Sequence, residues 1–514
     1  MIDFFIVLVY FIVIFITALS GAKLSKGITS DEYFLSGRSL KWPSIAISTI
    51  ATNVQGYQFL GMMGSAYLFG LAQANLEINA MQGLLIAAFI FVPVFLKHRI
   101  TTITQFIKLK LGSRIALCYS ILSIVIFSTI TLGAALFWGA YATEMVFGDV
   151  LSFIGSNQIN RISILIIILG VFSAIYTYLG GLSAVVKTDI IQFFVLIFGG
   201  ILILVISLHQ IGGWNQLFIL TPEKMHLHLS ADHDKLPWTH VFGLFFLNIN
   251  YWCANQTIMQ RSIAAKNLKH AQAGLMIGGV LKYFMAVIII LPGIALYSIL
   301  DQPLTDPDMA FPYLVKNYIP VGLRGLILCG LFASLMSTVD STFNSIATMW
   351  SVDIYSVYIN NKATDFEKVQ SGRRAIIFSL FTALIMGLIL LFLKFESPGS
   401  AFTHTLNEIR YYLNCGIVVL ICSSILLIKP KYNYILIAFV ITLPSNIVIQ
   451  LLFPEINYFV RAFFVIIISL FIVILFNKNK IINLSNLVIR ESSSMKTYGI
   501  ILALSLVIIH IIFH

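Results

Sequence analysis

The chain has 514 residues, of which 59% are hydrophobic and 10% are charged, and its mean hydropathy is +0.94. A soluble protein carries about 25% charged residues, so this composition excludes a set of water-soluble domains. The formal net charge of +11 is typical of basic loops at the ends of membrane helices, and it is too scattered for a nucleic-acid site. We predict an all-α polytopic membrane protein in the lipid bilayer of the cell (inner) membrane.

Apolar stretches recur along the whole chain. A membrane span needs about 20 mostly apolar residues, and about 14 stretches meet that condition. They cover residues 3–21, 44–70, 73–96, 114–147, 162–180, 188–210, 239–260, 271–299, 322–352, 375–395, 400–428, 432–453, 457–476 and 497–513. The connecting loops are mostly short, which predicts a single transmembrane domain over residues 1–514. Only the basic loop 477–496 has room for a small amphipathic element.

The basic residues predict which side of the membrane each loop faces. Loops on one side hold 23 of the 32 Lys and Arg residues, including Arg261, whereas the opposite loops hold seven, including Lys394 and Arg461. Basic loops stay in the cytoplasm, so the larger set is predicted to be cytoplasmic and both termini are predicted to lie outside. The last two basic residues, Lys282 and Arg410, lie inside predicted spans.

Polar residues interrupt three of the predicted spans. In the second span, a helix break near Gly56 would free backbone carbonyls and turn the amides of Asn53 and Gln58 inward. The third span carries Asn75, Glu77 and Asn79, and in the seventh span the helical period places Asn248, Trp252 and Asn255 on one face. A buried charge costs at least about 2.5–3.5 kcal/mol, so these residues are candidates for function. Simpler interpretations remain: Glu77 could only pair with Lys282, the amides could only join helices, and Trp252 could only pack.

The ninth predicted span carries a stripe of hydroxyl side chains. The stripe consists of Ser334, Ser337, Thr338, Ser341, Ser345 and Thr348, and Asp340 and Asn344 border it. Hydroxyls beside freed carbonyls supply the hard oxygen atoms that a sodium ion prefers. Small hydroxyl residues also let membrane helices pack closely without any ligand, so the stripe alone leaves both interpretations open.

Neither the histidines nor the cysteines predict a metal centre. His226, His228, His233 and His240 lie in the loop 211–240, where a metal site and a solvated loop are both possible, although no predicted helix holds the four together. The five cysteines lack metal-ligand spacing and imply no disulfide framework.

Five segments give the chain a family resemblance. They are DEYFLSGRSLKWPSIAISTIATN (31–53), QFLGMMGSAY (58–67), YTYLGGLSAVVKTDIIQ (176–192), NINYWCANQTIMQRSIAAKNLKHAQAG (248–274) and IPVGLRGLILCGLFASLMSTVDSTFNS (319–345). The chain resembles the sodium:solute symporters, and within them the bacterial and animal sodium/glucose cotransporters. The resemblance implies a LeuT-like core of two inverted five-helix repeats, at 44–210 and 239–428. One extra helix at 3–21 and three peripheral helices at 432–513 would flank that core.

The resemblance also implies the site residues. The sodium site would use the backbone carbonyls of Ala51, Val54 and Ser334 and the hydroxyls of Ser337 and Thr338. Asp189 would lie on the sodium exit route, unless it is an acid of an aqueous loop beside Lys187. The substrate contacts would be Asn53, Gln58, Glu77, Asn248, Tyr251, Trp252, Lys282 and Asn407. Tyr251 would form the inner gate, and Met62, Leu76 and Thr403 would line the outer lid.

The function implied is sodium-coupled symport of a sugar or polyol into the cell by alternating access. Several residues depart from the family pattern: Leu76 and Thr403 replace aromatic gate residues, Ala80 replaces a hydroxyl residue, and Arg410 could pair with Glu408. A sialic acid, another carboxylate or an inositol is therefore the alternative solute.

Asp340 is a further departure, because it stands beside the implied sodium hydroxyls. It could support a second cation or simply bond to Asn344. No HExxH or GxSxG motif is present, so we do not expect an enzyme. A receptor is disfavoured because no cytoplasmic signalling domain follows the last span. The expected partners are a sodium ion, a small solute and lipid, with no cofactor beyond the coupling ion and no nucleic acid.

Overall fold

Helices make up almost all of the computed structural model over the residues it describes, which are 2–21, 28–55, 58–148, 150–300, 302–396, 402–428, 430–477 and 493–514. For 150, 402–405, 493 and 494, only the backbone is described. A bilayer core offers no water to backbone groups, and a helix satisfies them within its own segment. The helical structure therefore follows from the apolar composition.

The α-helices are numbered in chain order. The first eleven are α1 (Ile2–Gly21), α2 (Ser30–Leu35), α3 (Trp42–Asn53), α4 (Met63–Phe69), α5 (Asn75–Ile78), α6 (Ala80–Ile86), α7 (Val92–Lys97), α8 (Ile103–Leu111), α9 (Ser113–Ile126), α10 (Leu132–Phe147) and α11 (Gln158–Gln210). The others are α12 (Trp214–Leu220), α13 (His240–Ile249), α14 (Gln256–Ile263), α15 (Leu268–Ile299), α16 (Ala310–Tyr318), α17 (Leu323–Met349), α18 (Asp365–Glu396), α19 (Phe402–Leu426), α20 (Tyr432–Leu452), α21 (Tyr458–Phe476) and α22 (Ser493–Ile512). Helical turns with π geometry lie at Gln58–Met62, Ala87–Phe91, Phe127–Thr131, Asn250–Ala254 and Trp350–Ile359.

Eleven stretches of the described chain are long and apolar enough to cross a membrane. Each of the fourteen predicted spans falls on helical structure. The number of crossings, the sides of the termini and the division into two repeats stay predictions. The basic loop 477–496 lies almost wholly outside the described residues.

Helix α11 has 53 residues, which would make a straight helix of about 80 Å, far longer than the bilayer core of about 30 Å. It bends at Gly181, where φ is 56° and ψ is −152°. A Cβ atom there would lie 2.4 Å from the backbone oxygen of Tyr33, so the close approach of α2 also requires glycine. The bend separates the two spans predicted at 162–180 and 188–210.

Helix α17 lies at the centre of the molecule. Of its most apolar window, 94% is buried by protein, compared with 17% for α1 and for α22. Helix α17 packs against α11, α3, α1 and α10. The hydroxyl stripe predicted from the sequence is therefore enclosed by other helices and does not face lipid.

Two predicted spans are broken within their apolar runs. Helix α3 ends at Asn53, and helical structure resumes at Gln58. Helix α13 passes into a π turn, and the chain extends at Asn255 (φ −83°, ψ 115°) before α14 begins. The prediction that Asn255 shares a helical face with Asn248 and Trp252 is therefore wrong, because Asn255 instead caps α14 by accepting from the Thr257 amide at 2.9 Å.

Three basic residues assigned to loops are instead buried, with exposed fractions of 0% for Arg261, 2% for Lys394 and 3% for Arg461. Each has an acidic partner. Arg261 pairs with Asp189 at 3.4 Å, Lys394 with Asp308 at 2.7 Å, and Arg461 with Glu408 at 2.6 Å. The suggested Arg410–Glu408 pair is wrong as well, since Glu408 is engaged by Arg461. Pairing lowers the cost of burying a charge, which explains why positions at the ends of the predicted spans could move inside.

Candidate substrate and sodium sites

A cavity of about 150 Å³ lies where the broken helices meet. All eight predicted substrate residues line it: Asn53, Gln58, Glu77, Asn248, Tyr251, Trp252, Lys282 and Asn407. Met62 and Leu76 of the predicted outer lid line it too, whereas the side chain of Thr403 lies outside the described part of the chain. The structure thus brings residues from α3, α5, α13, α15 and α19 around one space.

An ion pair forms the floor of the polar side of this cavity. Lys282 contacts the Oε2 atom of Glu77, and both side chains are at least 98% buried. Gln58 donates to the other Glu77 oxygen at 2.6 Å. Lys282 also donates to Oδ1 of Asn53 at 2.6 Å. Two opposite charges within one network are neutral overall, so hydrogen-bonding groups face the cavity without a net charge from this pair.

Asn53 continues the network toward the aromatic wall. Its Nδ2 atom donates to the Tyr251 hydroxyl at 3.0 Å. The rings of Tyr251 and Trp252 meet edge to face at 5.0 Å. An aromatic ring beside amide and charged groups is a combination that recognises a molecule with one apolar and one polar side. The bonds among Gln58, Glu77, Lys282, Asn53 and Tyr251 are continuous.

Asn248 is held from outside the cavity. Its Nδ2 atom donates to the backbone oxygen of Asn79 at 2.9 Å. Asn79 follows the short helix α5, two residues after Glu77. Asn248 and Glu77 are thereby tied to the same turn of chain.

The end of α3 leaves two carbonyls without their helical donors. In a continuous helix, the amide of Gln55 would bond to the Ala51 oxygen and that of Gln58 to the Val54 oxygen. Here the Gln55 amide donates to the side chain of Gln58 at 2.8 Å, and the Gln58 amide donates to the Gln55 oxygen at 2.9 Å. The carbonyls of Ala51 and Val54 are therefore free of the pairing that a helix would give them.

The free end of α3 lies beside the middle of α17. Thr338 donates to the backbone oxygen of Thr52 at 2.9 Å and contacts the Ser334 oxygen at 3.2 Å. Ser337 is fully buried and lies 3.4 Å from the Thr52 hydroxyl. Carbonyl and hydroxyl oxygens without charge are ligands that suit a hard monovalent cation. All five predicted sodium ligands lie in this region between α3 and α17.

Asp189 is buried in the protein, and the alternative of an aqueous-loop acid is wrong. It accepts hydrogen bonds from Ser48 and Ser337, each at 2.5 Å. Arg261 is the functional candidate that sequence reasoning missed. It pairs with Asp189, donates to Ser48 at 2.9 Å and contacts Ser341.

The signal that could have found Arg261 is the break at Asn255. A helix that starts after that break carries Arg261 back into the protein on α14. The prediction ended this span at residue 260 and left Arg261 in the following loop.

Asp340 has a partner other than the one suggested. Its Oδ2 atom accepts a hydrogen bond from the Tyr176 hydroxyl on α11, and within the described chain no hydrogen bond reaches Asp340 Oδ1 or the amide of Asn344. The expected Asp340–Asn344 bond is therefore absent from the described residues.

The histidine loop carries no metal centre in the described part of the chain. No group of three His, Cys, Asp or Glu side chains there is arranged to hold a metal ion. His228 instead stacks on His510 of α22, with ring centroids 5.1 Å apart.

The sequence matches known transporters. A profile of the sodium:solute symporter family matches residues 33–431. The chain belongs to the sodium:solute symporter family. It is 31% identical over 415 residues to a sodium/glucose cotransporter of Vibrio parahaemolyticus, covering 75% of this chain and 74% of that protein. It is also 31% identical over 461 residues to sodium/glucose cotransporter 4 of Mus musculus, covering 82% of this chain and 65% of that longer protein.

Solved structures show the same fold. A substrate-bound, outward-open structure of a Na⁺-coupled sialic acid symporter superposes with a TM-score of 0.78 at 19% identity, covering 94% of this chain and 99% of that one. A nucleobase-cation-symport-1 family transporter superposes with a TM-score of 0.56 at 14% identity, covering 91% and 97%. Family membership and apolar helices together make this symporter a multi-pass membrane protein that couples solute transport to sodium.

Proposed function

We propose that this symporter carries a sugar or another polyol into the cell, and that the cavity between the broken helices is its substrate site. The observation that carries the proposal is the continuous network through Gln58, Glu77, Lys282, Asn53 and Tyr251 along one wall of the cavity. A sugar presents several hydroxyls that donate and accept. Carboxylate, ammonium and amide groups offer both functions side by side, and the relatives of this chain are sodium/glucose cotransporters.

The proposed sodium site joins the end of α3 to α17. Sodium would bind the oxygens of Ala51, Val54, Ser334, Ser337 and Thr338, replace the donors that the helix break removes, and fix α3 beside the solute cavity. Asn53 lies two residues beyond Ala51, so ordering this turn would also order the solute network. The buried ring of contacts around Asp189 would then give sodium a route out of the site.

The driving force is adequate for concentrative uptake. Moving one charge through 100 mV contributes about 2.3 kcal/mol, and a tenfold sodium gradient adds about 1.4 kcal/mol. Together they support roughly 500-fold accumulation for each coupled ion, at about 1.4 kcal/mol per factor of ten.

We further propose fourteen crossings with both termini outside, in the cell (inner) membrane. The distribution of basic residues over the predicted loops supports this orientation. The proposal leaves Arg261, Lys394 and Arg461 out of the count, because they are buried.

A solute that carries a carboxylate is the second candidate, and Arg410 favours it. Arg410 lines the cavity, and its Nε atom has no hydrogen-bond partner in the described chain. Glu408, the acid nearest in sequence, is occupied by Arg461. A guanidinium in a solute cavity recognises a carboxylate well, which suits a sialic acid.

Competition between solutes distinguishes the two candidates. The transporter would be placed in vesicles with an inward sodium gradient, and unlabelled hexoses, inositols and sialic acid would compete with a labelled hexose. The proposal expects hexoses to inhibit in a saturable way that Glu77→Gln abolishes. Arg410→Met serves as the matched variant, because it should leave hexose uptake intact and weaken only carboxylate binding. Sodium-driven uptake of sialic acid without any hexose uptake would overturn the sugar assignment.

A further inference from the structure

The end of α22 and the segment 226–228 contact each other closely. The Leu227 amide donates to the Phe513 oxygen at 2.7 Å, and Nδ1 of His226 lies 3.0 Å from the His514 oxygen. His228 and His510 stack with an interplanar angle of 29°, and Nε2 of His228 lies 3.2 Å from Nδ1 of His510. Backbone and ring contacts together fix the segment on the helix.

His510 reaches from this contact to the turn that holds the solute cavity. Its Nε2 atom lies 3.2 Å from Oδ1 of Asn79. The backbone oxygen of Asn79 accepts the 2.9 Å hydrogen bond from Asn248, which lines the cavity. Asn75 adds a second tie, because its Nδ2 atom donates to the Leu227 oxygen at 2.6 Å.

The direction of each hydrogen bond follows from Asn79. Its Nδ2 atom already donates to the backbone and side-chain oxygens of Asn75, at 3.1 and 3.0 Å. The Oδ1 atom is therefore the acceptor, and His510 must donate from Nε2. A neutral His510 then accepts at Nδ1, and His228 donates to it from Nε2. Both rings can be neutral while every contact is satisfied.

We propose that His510 is a positioning residue for solute binding: the relay His228–His510–Asn79 holds the turn that anchors Asn248, and protonation of both rings breaks it. The proposal rests on the cavity being the solute site. One proton can be accommodated, because the neutral ring can take the tautomer that accepts. Two protonated rings place donors opposite each other across 3.2 Å and also repel electrostatically.

The other titratable groups around the relay are His226, His240 and His514 from the segment and the chain end, with Tyr283 on α15. None of these is an acid that would offset a second positive charge. Burial lowers the pKa of His228 below its usual range, and the neighbouring His514 lowers it further. A depressed histidine pKa means that the contact is fully present above about pH 6.5 and is lost as the pH falls.

Initial solute uptake at saturating sodium, measured from pH 8 to pH 5 in vesicles, tests the relay. His510→Ala should raise the half-saturating solute concentration about two- to tenfold at pH 7.5, the range expected for one hydrogen bond. Half-saturating sodium and maximal rate per inserted transporter should stay unchanged. Ile511→Ala is the matched control, since that side chain is 69% exposed, and it should behave like wild type.

His510→Gln separates positioning from bulk. Glutamine can still donate to Asn79 but does not titrate, so this variant should bind solute nearly as well as wild type at pH 7.5 and lose the weakening that wild type shows at pH 5. An unchanged half-saturating concentration in His510→Ala, or an acid response retained in His510→Gln, would overturn the relay. Asn248→Ala distinguishes the two levels of the proposal. If this variant too leaves solute binding unchanged, the proposed cavity itself is wrong.

Discussion

Thr338 is the residue on which the proposed sodium site depends most directly. Its hydroxyl lies between the Thr52 and Ser334 carbonyls, so it would be withdrawn from both helices to bind the ion. Thr338→Ala should raise half-saturating sodium about tenfold, equivalent to about 1.4 kcal/mol. Uptake at varied sodium measures the change.

Two variants serve as controls for Thr338. Thr338→Ser keeps the hydroxyl and should retain the sodium dependence of wild type. Thr342→Ala removes a hydroxyl that only donates to the Thr338 oxygen one turn along α17, and it should change half-saturating sodium little. If Thr338→Ala responds to sodium as wild type does, the site is misplaced.

Glu77 and Lys282 allow structural pairing to be separated from solute recognition. Removing one partner leaves the other charge buried and typically destabilises by about 3–5 kcal/mol, so Glu77→Gln and Lys282→Met should each lower the thermal midpoint of the purified transporter. The double variant should regain much of that loss, because no charge is left unpaired.

Solute binding should follow a different pattern from stability. If both residues contact the solute, the double variant should bind no better than the worse single variant, while sodium binding persists. A double variant that recovers both stability and solute uptake would show that the pair only stabilises the fold.

Gly181 determines the geometry of α11 at the scale of the helix. Gly181→Ala would force a side chain into a positive-φ conformation and against the Tyr33 oxygen, so the thermal midpoint should fall markedly. Gly199→Ala is the matched control in the same helix, because the nearest atom to its Cβ is 3.6 Å away and alanine favours helix. Equal midpoints for the two variants would contradict the requirement for glycine at the bend.

The sequence predicted helical elements well because each span is a long apolar run, and the amides of Asn53 and Gln58 indicated a break in α3. The seventh span was harder, because a π turn and the extended Asn255 change the helical period. This shift is why Asn255 was placed on the wrong face and Arg261 in a loop. The residues around the cavity were assigned from the family motifs and from their unusual polarity in apolar runs.

Pairings between distant segments could not be read from the chain. The Tyr176 partner of Asp340 is 164 residues away, and the contact of His510 with Asn79 joins residues 431 apart. Local periodicity carries no information about such contacts. They are set by how whole helices pack.

At the scale of the whole molecule, the orientation is the prediction to test first. A reporter fused after His514 should be accessible from outside the cell, and one inserted near Lys362 should be accessible only from the cytoplasm, because the basic loops predict those sides. The inverse pattern would contradict the fourteen-span arrangement and the inverted repeats with it. A further insertion near Lys266 provides an internal control, since it should share the side of Lys362.

The central claim is that sodium and a sugar move together through one site built on α3 and α17. Charge movement and labelled-hexose uptake, recorded together in vesicles at a fixed membrane potential, test it most directly. The account predicts saturable inward current that requires both sodium and hexose, with hexose accumulation that collapses when the sodium gradient is removed and is absent in Glu77→Gln. Hexose uptake that is indifferent to sodium, or sodium current that no hexose alters, would contradict it.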